Sequence, residues 1–292
     1  MAYPDVPIWL ELTRLGGDFA LSAGRSILPN PALANIQRYC LFMGAPRNGH
    51  SLVGAMLDAH PEMLIAHELG LPKYKVAHFS KRQIELLILS NSKKSAANGR
   101  QHIHYSHSVP NQWQGRYKNL QLVGDKHGEG FLLSVEARPW LVDTLLKSLN
   151  PCHFIHVIRN PYDAIASIVS NTKRQHTQDS AIAYFERLYQ TLSTVSDKLA
   201  ADQLHEIHFE QLVSQPQKEL EKLCGFLGFD ATTEYLQDCS SIVLDDLGDH
   251  RALVEWSPSS RQKIDKLINS YSFLSKYSFE QVGIEWKRRQ IP

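Results

Sequence analysis

Apolar positions in this chain fall into short unbroken runs, separated by longer stretches with helical periodicity. Tyr39 to Met43, Leu120 to Gly124 and His153 to Ile158 have the length and composition of strands, and Leu204 to Phe209 alternates as one. Helical spacing marks Leu52 to His60 (stopped by Pro61), Lys81 to Leu89, Arg138 to Leu149, Tyr162 to Val169, Asp179 to Leu199, Lys218 to Leu227 and Arg261 to Asn269. Alternating strands and helices predict an α/β fold of three layers, with a central, mostly parallel sheet flanked by helices. Residues 1–292 are expected to form one domain. Within it, 1–35 is an N-terminal arm with a short amphipathic piece near Ile8 to Leu15, and 36–292 is the core. Asn91 to Gly115 is polar and reads as a long loop, a length that in a compact domain commonly serves a binding function.

The joint between the first strand and its helix carries the first chemical signal. Gly44-Ala45-Pro46-Arg47-Asn48-Gly49-His50-Ser51 has the glycine spacing of a nucleotide P-loop, whose glycines let the backbone approach an anion at a helix start. A triphosphate loop places Lys where His50 stands. That substitution disfavours a kinase or NTPase, the alternative reading of the topology. It leaves an anion held by Arg47, the amides of Asn48 to Leu52 and the Ser51 hydroxyl. A second signal follows the strand His153 to Ile158: Arg159 leaves its tip and Ser167 lies eight residues on, within a helix. An Arg fork and a hydroxyl beyond the carboxyl ends of parallel strands can hold a second phosphate.

These two segments resemble the 5′-phosphosulfate and 3′-phosphate motifs of the sulfotransferases that use 3′-phosphoadenosine 5′-phosphosulfate (PAPS). Phe209-Glu210-Gln211-Leu212 and Leu223-Cys224-Gly225-Phe226-Leu227-Gly228 resemble two further segments of that family, in its order. The resemblance runs from about Arg38 to Trp256. Ala55-Met56-Leu57-Asp58-Ala59-His60-Pro61 followed by His67-Glu68 is most similar to the tyrosylprotein sulfotransferases and their bacterial relatives.

The resemblance implies sulfuryl transfer from PAPS to an acceptor hydroxyl by in-line attack, releasing 3′,5′-ADP. It implies Glu68 as base, with His50 a rival base or leaving-group donor. Lys126, in Gly124-Asp125-Lys126-His127, and Arg47 would stabilise the departing oxygen. Arg47, Asn48, Gly49, His50, Ser51 and Leu52 would hold the 5′ end, Arg159 and Ser167 the 3′-phosphate, and Phe209 would lie near the adenine. A non-catalytic nucleotide-binding relative is a second alternative, opposed by the intact set of Arg47, Glu68, Lys126, Arg159 and Ser167. At Val254 the tyrosylprotein branch has a cofactor-contacting Ser, which is a departure from that pattern. The basic run Lys287-Arg288-Arg289 is a further candidate for the 3′-phosphate.

Composition bounds the rest. Lys+Arg 31 against Asp+Glu 30 gives a formal net charge of +1, so charge gives no support for wholesale nucleic-acid or anionic-membrane binding, although a local basic cleft stays open. Four widely spaced cysteines are expected as buried thiols. No apolar run is long enough for a membrane span and no signal peptide is indicated, so a cytoplasmic location is expected. His102, His104 and His107 have no acid or cysteine at metal spacing. They are read instead, with Tyr105 and Trp113, as lining an acceptor pocket for a sugar, phenol, lipid or small alcohol, and no metal is expected.

Overall fold

The computed structural model describes residues 8–102, 105–170, 176–243 and 251–280. In chain order α1 (Ile8–Ile27) and a single turn, α2 (Pro31–Ala34), precede β1 (Arg38–Met43) and α3 (His50–Asp58). Then come β2 (Met63–His67), α4 (Leu71–Val76), α5 (Lys81–Ala97), the hairpin β3 (Gln101–His102) and β4 (Tyr105–Ser106), and β5 (Leu122–Lys126). Next are α6 (Gly128–Ala137), α7 (Leu141–Ser148), β6 (Cys152–Ile158), α8 (Pro161–Val169) and α9 (Gln178–Ser196). The last elements are β7 (Leu204–His208), α10 (Phe209–Ser214), α11 (Pro216–Leu227), α12 (Thr233–Ser240) and α13 (Pro258–Ser270).

The sheet order is β2-β5-β1-β6-β7, with every pairing parallel. Successive residues of a strand face opposite sides, so each strand feeds two cores. Tyr39, Leu41 and Met43 enter one core with Leu64, Val123 and Phe154, covered by α5 to α9 and α13. Cys40 and Phe42 enter the other with Ile65, Leu122 and Val157, covered by α3, α11 and α12. Burial on both faces explains why β1, β2 and β6 are mostly apolar runs, whereas the edge strand β7, half-buried at its start, alternates. The three-layer α/β arrangement expected from the sequence is the one observed, and the four cysteines are free and buried.

Two expectations need correction, and two elements went unread. The polar stretch after Leu89 is not a loop throughout: α5 continues to Ala97 on the buried spacing Ile84, Ile88, Ser92, and its polar residues are the solvated face. α1 runs through Gly16-Gly17 for 20 residues, where only a short piece was expected, because tertiary contacts hold it. Tyr74 Oη donates to Asp18 at 2.7 Å, and the Phe19 and Phe79 rings meet edge to face at 5.2 Å. The strand β2 and the helix α6, whose Gly128 and Gly130 mask its period, carry no clear sequence signal.

Candidate active site

All five strands end, at their carboxyl tips, in residues singled out above or in their chain neighbours. β1 crosses to β2 on one side while β6 lies on the other, so the crevice beside β1 is a topological switch point, where open α/β sheets bind ligands.

The loop after β1 is built for close approach. Arg47 takes a left-handed φ of 67°, and Asn48 Nδ2 ties the loop to β6 by donating to the Val157 carbonyl at 3.0 Å. Gly49 precedes α3 with φ 97°, and a Cβ there would lie 2.3 Å from the Phe209 ring. Both conditions require glycine. Helical bonding begins with the Leu52 and Val53 amides on the Gly49 carbonyl at 3.1 and 3.3 Å, so Leu52 has an internal acceptor. The amides just before it form the positive end of α3, whose first turn holds no acid.

The second motif meets this loop directly. Arg47 Nε donates to Ser167 Oγ at 2.9 Å, and Arg159 donates to the Arg47 carbonyl at 3.1 Å. The Arg159 guanidinium also sits 5.1 Å from the centre of the Phe209 ring. Arg47, Arg159, Ser167 and Phe209, separated by up to 162 positions in the chain (209 − 47), thus share one mouth. Behind it Glu210 accepts from the Asn160 amide at 2.8 Å and from Tyr277 Oη at 2.7 Å.

Beside that mouth lies a chain of three polar groups. Lys126 Nζ donates to Glu68 Oε1 at 2.9 Å and to Ser51 Oγ at 3.1 Å. The lysine side chain is 2% exposed while that of Glu68 keeps 43%, so the carboxylate faces solvent and the ammonium does not. Burial alone would raise the Glu68 pKa, but the Lys126 charge and hydrogen bond, with His127 and His67, outweigh it and hold the carboxyl at about 2. Lys126 is shifted the other way, downward, by burial against the opposing pull of Glu68. Gly54 makes room for the lysine stem: a Cβ there would fall 2.8 Å from Lys126 Cγ. His50 is buried behind the loop, its Nε2 3.3 Å from the Met43 carbonyl, and desolvation followed by the Lys126 charge pushes its pKa down to about 3. At neutral pH its ring is uncharged.

Four positioning residues, Asp125, Asp58, Asn91 and Arg100, carried no role in the sequence reading. Asp125, buried on β5, accepts from the Leu69 amide at 3.0 Å and the Leu71 amide at 2.8 Å, and so fixes the turn that follows Glu68. Glu68 itself has φ 55°, a left-handed backbone that such anchoring must sustain. β2 is an edge strand, and side chains satisfy its outer edge. Asp58 accepts from the Ile65 amide at 2.7 Å, Asn91 accepts from the His67 amide at 2.7 Å, and Arg100 donates to the Ile65 carbonyl at 3.0 Å. Arg100 and Asp58 form a buried ion pair. The available signal was a lone Asp within the apolar run of β5, and another at the end of the apolar helix α3.

Other candidates fall elsewhere. The Trp113 amide donates to the Ala59 carbonyl at 3.1 Å, at the end of α3 remote from the loop, about 13 Å away at helical rise. This removes Trp113 from an acceptor pocket beside Glu68. The His107 carbonyl accepts from Gln114, which also bonds Ala55, level with the middle of α3. His104 and Lys287-Arg288-Arg289 lie outside the described residues. Val254 is buried beside a short turn in which Arg251 makes a two-pronged ion pair with Asp163, both contacts at 2.9 Å.

Fold and site together are those of an α/β chain with a P-loop-like turn after its first strand, beside which Lys126 from a neighbouring strand bonds Ser51. A family profile described as "Sulfotransferase family" matches residues 41–234, well over half of the chain, and the chain belongs to that family. No curated protein matches it in sequence. It resembles sulfotransferase STF9 from Mycobacterium avium (9% identity, 88% of this chain and 81% of that one, TM-score 0.51). It also resembles STF1 from Mycobacterium tuberculosis H37Rv (11%, 88% and 85%, TM-score 0.51). Mouse SULT7A1, solved in complex with PAP, aligns more loosely (12%, 82% and 86%, TM-score 0.45). At these identities the two mycobacterial structures speak for the fold alone. The protein is a sulfotransferase.

Proposed function

We propose that this sulfotransferase uses PAPS as donor and a hydroxyl-bearing acceptor, with Glu68 as base. PAPS carries an anionic group at each end, and the site offers one donor set for each. The amides of Asn48 to Ser51 with the Ser51 hydroxyl suit the 5′ side, and Arg159 with Ser167 the 3′-phosphate. Arg47, already bonded to Ser167, stands between the two sets. PAPS supplies the sulfuryl group, and the oxygen bridging its sulfur and phosphorus is the leaving atom.

Glu68 takes the acceptor's proton as the acceptor oxygen bonds to sulfur, a contribution of typically 10²–10⁴-fold for a positioned base. Lys126 and Arg47 stabilise the negative charge left on the departing phosphate oxygen of 3′,5′-ADP. Lys126 cannot serve Glu68 and that oxygen equally. As it turns towards the leaving oxygen, the Glu68 carboxylate loses its strongest partner and becomes a better base. His50, buried, uncharged and set on a carbonyl, is read as packing behind the loop rather than as a rival base. The absence of a charged group at His50 also supports selection against ATP.

The observation that carries this reading is the meeting of Arg47, Arg159 and Ser167 at one mouth, with the Glu68–Lys126–Ser51 chain beside it. The test pairs binding with turnover. 3′,5′-ADP should raise the melting temperature more than ATP with Mg²⁺, and labelled sulfate should pass from PAPS to at least one class of hydroxyl. Glu68→Gln should abolish transfer while the 3′,5′-ADP shift persists. Equal stabilisation by ATP would overturn the donor assignment, and retained turnover in Glu68→Gln would overturn the base.

A further inference from the structure

On the flank formed by α1 and α5, an open groove of about 800 Å³ is lined by Arg25, Lys93 and Arg116 over an apolar floor that includes Leu64, Leu86 and Leu89. No carboxylate lines it among the described residues, and no ion pair joins those three cations to an acid there. The formal net charge of +1 conceals this local excess. The groove has an apolar lip. Leu21 and Arg25 stand four apart on α1 and so share one helix face, and Leu28, just past the helix end with its amide on the Arg25 carbonyl, lines the groove beside Arg25. Leu21 and Leu28 are each 64% exposed, and Ile27 beside them is 83% exposed. Apolar side chains this exposed, grouped with unneutralised cations, mark an interaction surface.

We propose that this face docks the protein on an anionic lipid surface, with α1 lying in the interface. Leu21, Ile27 and Leu28 enter the acyl boundary, and Arg25, Lys93 and Arg116 meet acidic headgroups. Charge decides against a second copy of the chain: a two-fold contact would set the three cations against their own images. The outward reach of Ile27 and Leu28 suits insertion into a soft apolar medium better than closure around a rigid partner. No helix among the described residues is long and apolar enough to cross a membrane, so attachment here is peripheral.

The test is co-sedimentation of the full chain with phosphatidylglycerol/phosphatidylcholine vesicles and with pure phosphatidylcholine vesicles, at low and at 0.5 M salt. Binding should occur on the anionic vesicles only and be lost at high salt. The pair Leu21→Asp with Leu28→Asp, and separately Arg25→Ser with Lys93→Ser, should each weaken it about tenfold or more. The thermal shift with 3′,5′-ADP should stay at the wild-type value in both, which shows that the fold is intact. Equal binding to neutral vesicles, absence of binding to anionic ones, or unaltered binding by either variant overturns the proposal. So does a dimer in sedimentation that Leu21→Asp with Leu28→Asp dissolves.

Discussion

Gly54 sits in the middle of α3, where alanine would ordinarily be the better residue by about 1 kcal/mol. Here the new methyl would lie 2.8 Å from Lys126 Cγ and 3.0 Å from its Cβ, whereas carbon atoms settle at about 3.5–4.0 Å. The two must separate by about 0.7 Å. The lysine stem is buried, and β5 is locked between β1 and β2, so little of that shift can be absorbed by the strand. Overpacking of this kind costs about 1–3 kcal/mol, so the net stability change of Gly54→Ala should be a loss of about 0–2 kcal/mol. The larger effect should be on the ammonium, whose contacts to Glu68 and Ser51 at 2.9 and 3.1 Å cannot both survive. Misplacement by about 1 Å can cost about 10²-fold in rate, so kcat should fall by about 10–10²-fold. The apparent KM for PAPS should hold, because Arg159 and Ser167 are untouched. Steady-state kinetics, a melting curve and a double-mutant cycle with Lys126→Ala would measure this. Adding Gly54→Ala to Lys126→Ala should cost little further activity. A Gly54→Ala enzyme with higher melting temperature and wild-type kcat would refute the claim that the lysine's position matters.

The remaining predictions concern the supports of the site and its response to acid. Asn91→Ala leaves the His67 amide at the tip of β2 without its side-chain acceptor, a loss of about 1–3 kcal/mol. It should lower kcat about tenfold, with 3′,5′-ADP affinity unmoved in calorimetry. Gly49→Ala forces a side chain into φ 97° and into the Phe209 ring, so stability should drop by about 2–4 kcal/mol in a denaturant titration, with nucleotide binding lost. His50 titrates at about 3 in the folded chain, below its ordinary value near 6.5, so as pH falls the unfolded chain takes the proton first. The stability this protects is whole above about pH 6.5 and declines below it, by up to about 1.4 kcal/mol per pH unit, until the folded value is reached. His50→Asn should therefore flatten the fall in melting temperature between pH 6.5 and 5. Glu68, held at about 2, has the same sign in a lower window, its contribution present above the ordinary carboxylate range and lost as pH falls towards 2.

Much of this protein is written locally. Short apolar-rich runs announced β1, β5 and β6, because a strand buried on both faces leaves little room for a polar alternation, and the alternating stretch Leu204 to Phe209 announced the edge strand β7. Gly44 to Ser51 and Arg159 to Ser167 announced their loops, because a glycine turn or a strand-tip arginine is needed at a set distance from a helix start. Where local composition misled, tertiary contact had overruled it. α5 is polar after Leu89 because one face is solvated, and its length is set by the Ser92 and Asn91 bonds to α3 and β2. Trp113 had an aromatic face suited to a pocket, but its backbone bond to Ala59 carries it to the far end of α3.

What no reading along the chain could supply is which groups touch. Arg47 bonds Ser167 across 120 positions and Lys126 bonds Glu68 across 58, and both contacts exist because a parallel sheet brings distant strands to one carboxyl edge in a fixed register. The residue types were present in the sequence. Their meeting, the low pKa of Glu68 and the buried neutrality of His50 are properties of the packed chain, because electrostatic coupling depends on distance and dielectric, and folding alone sets both.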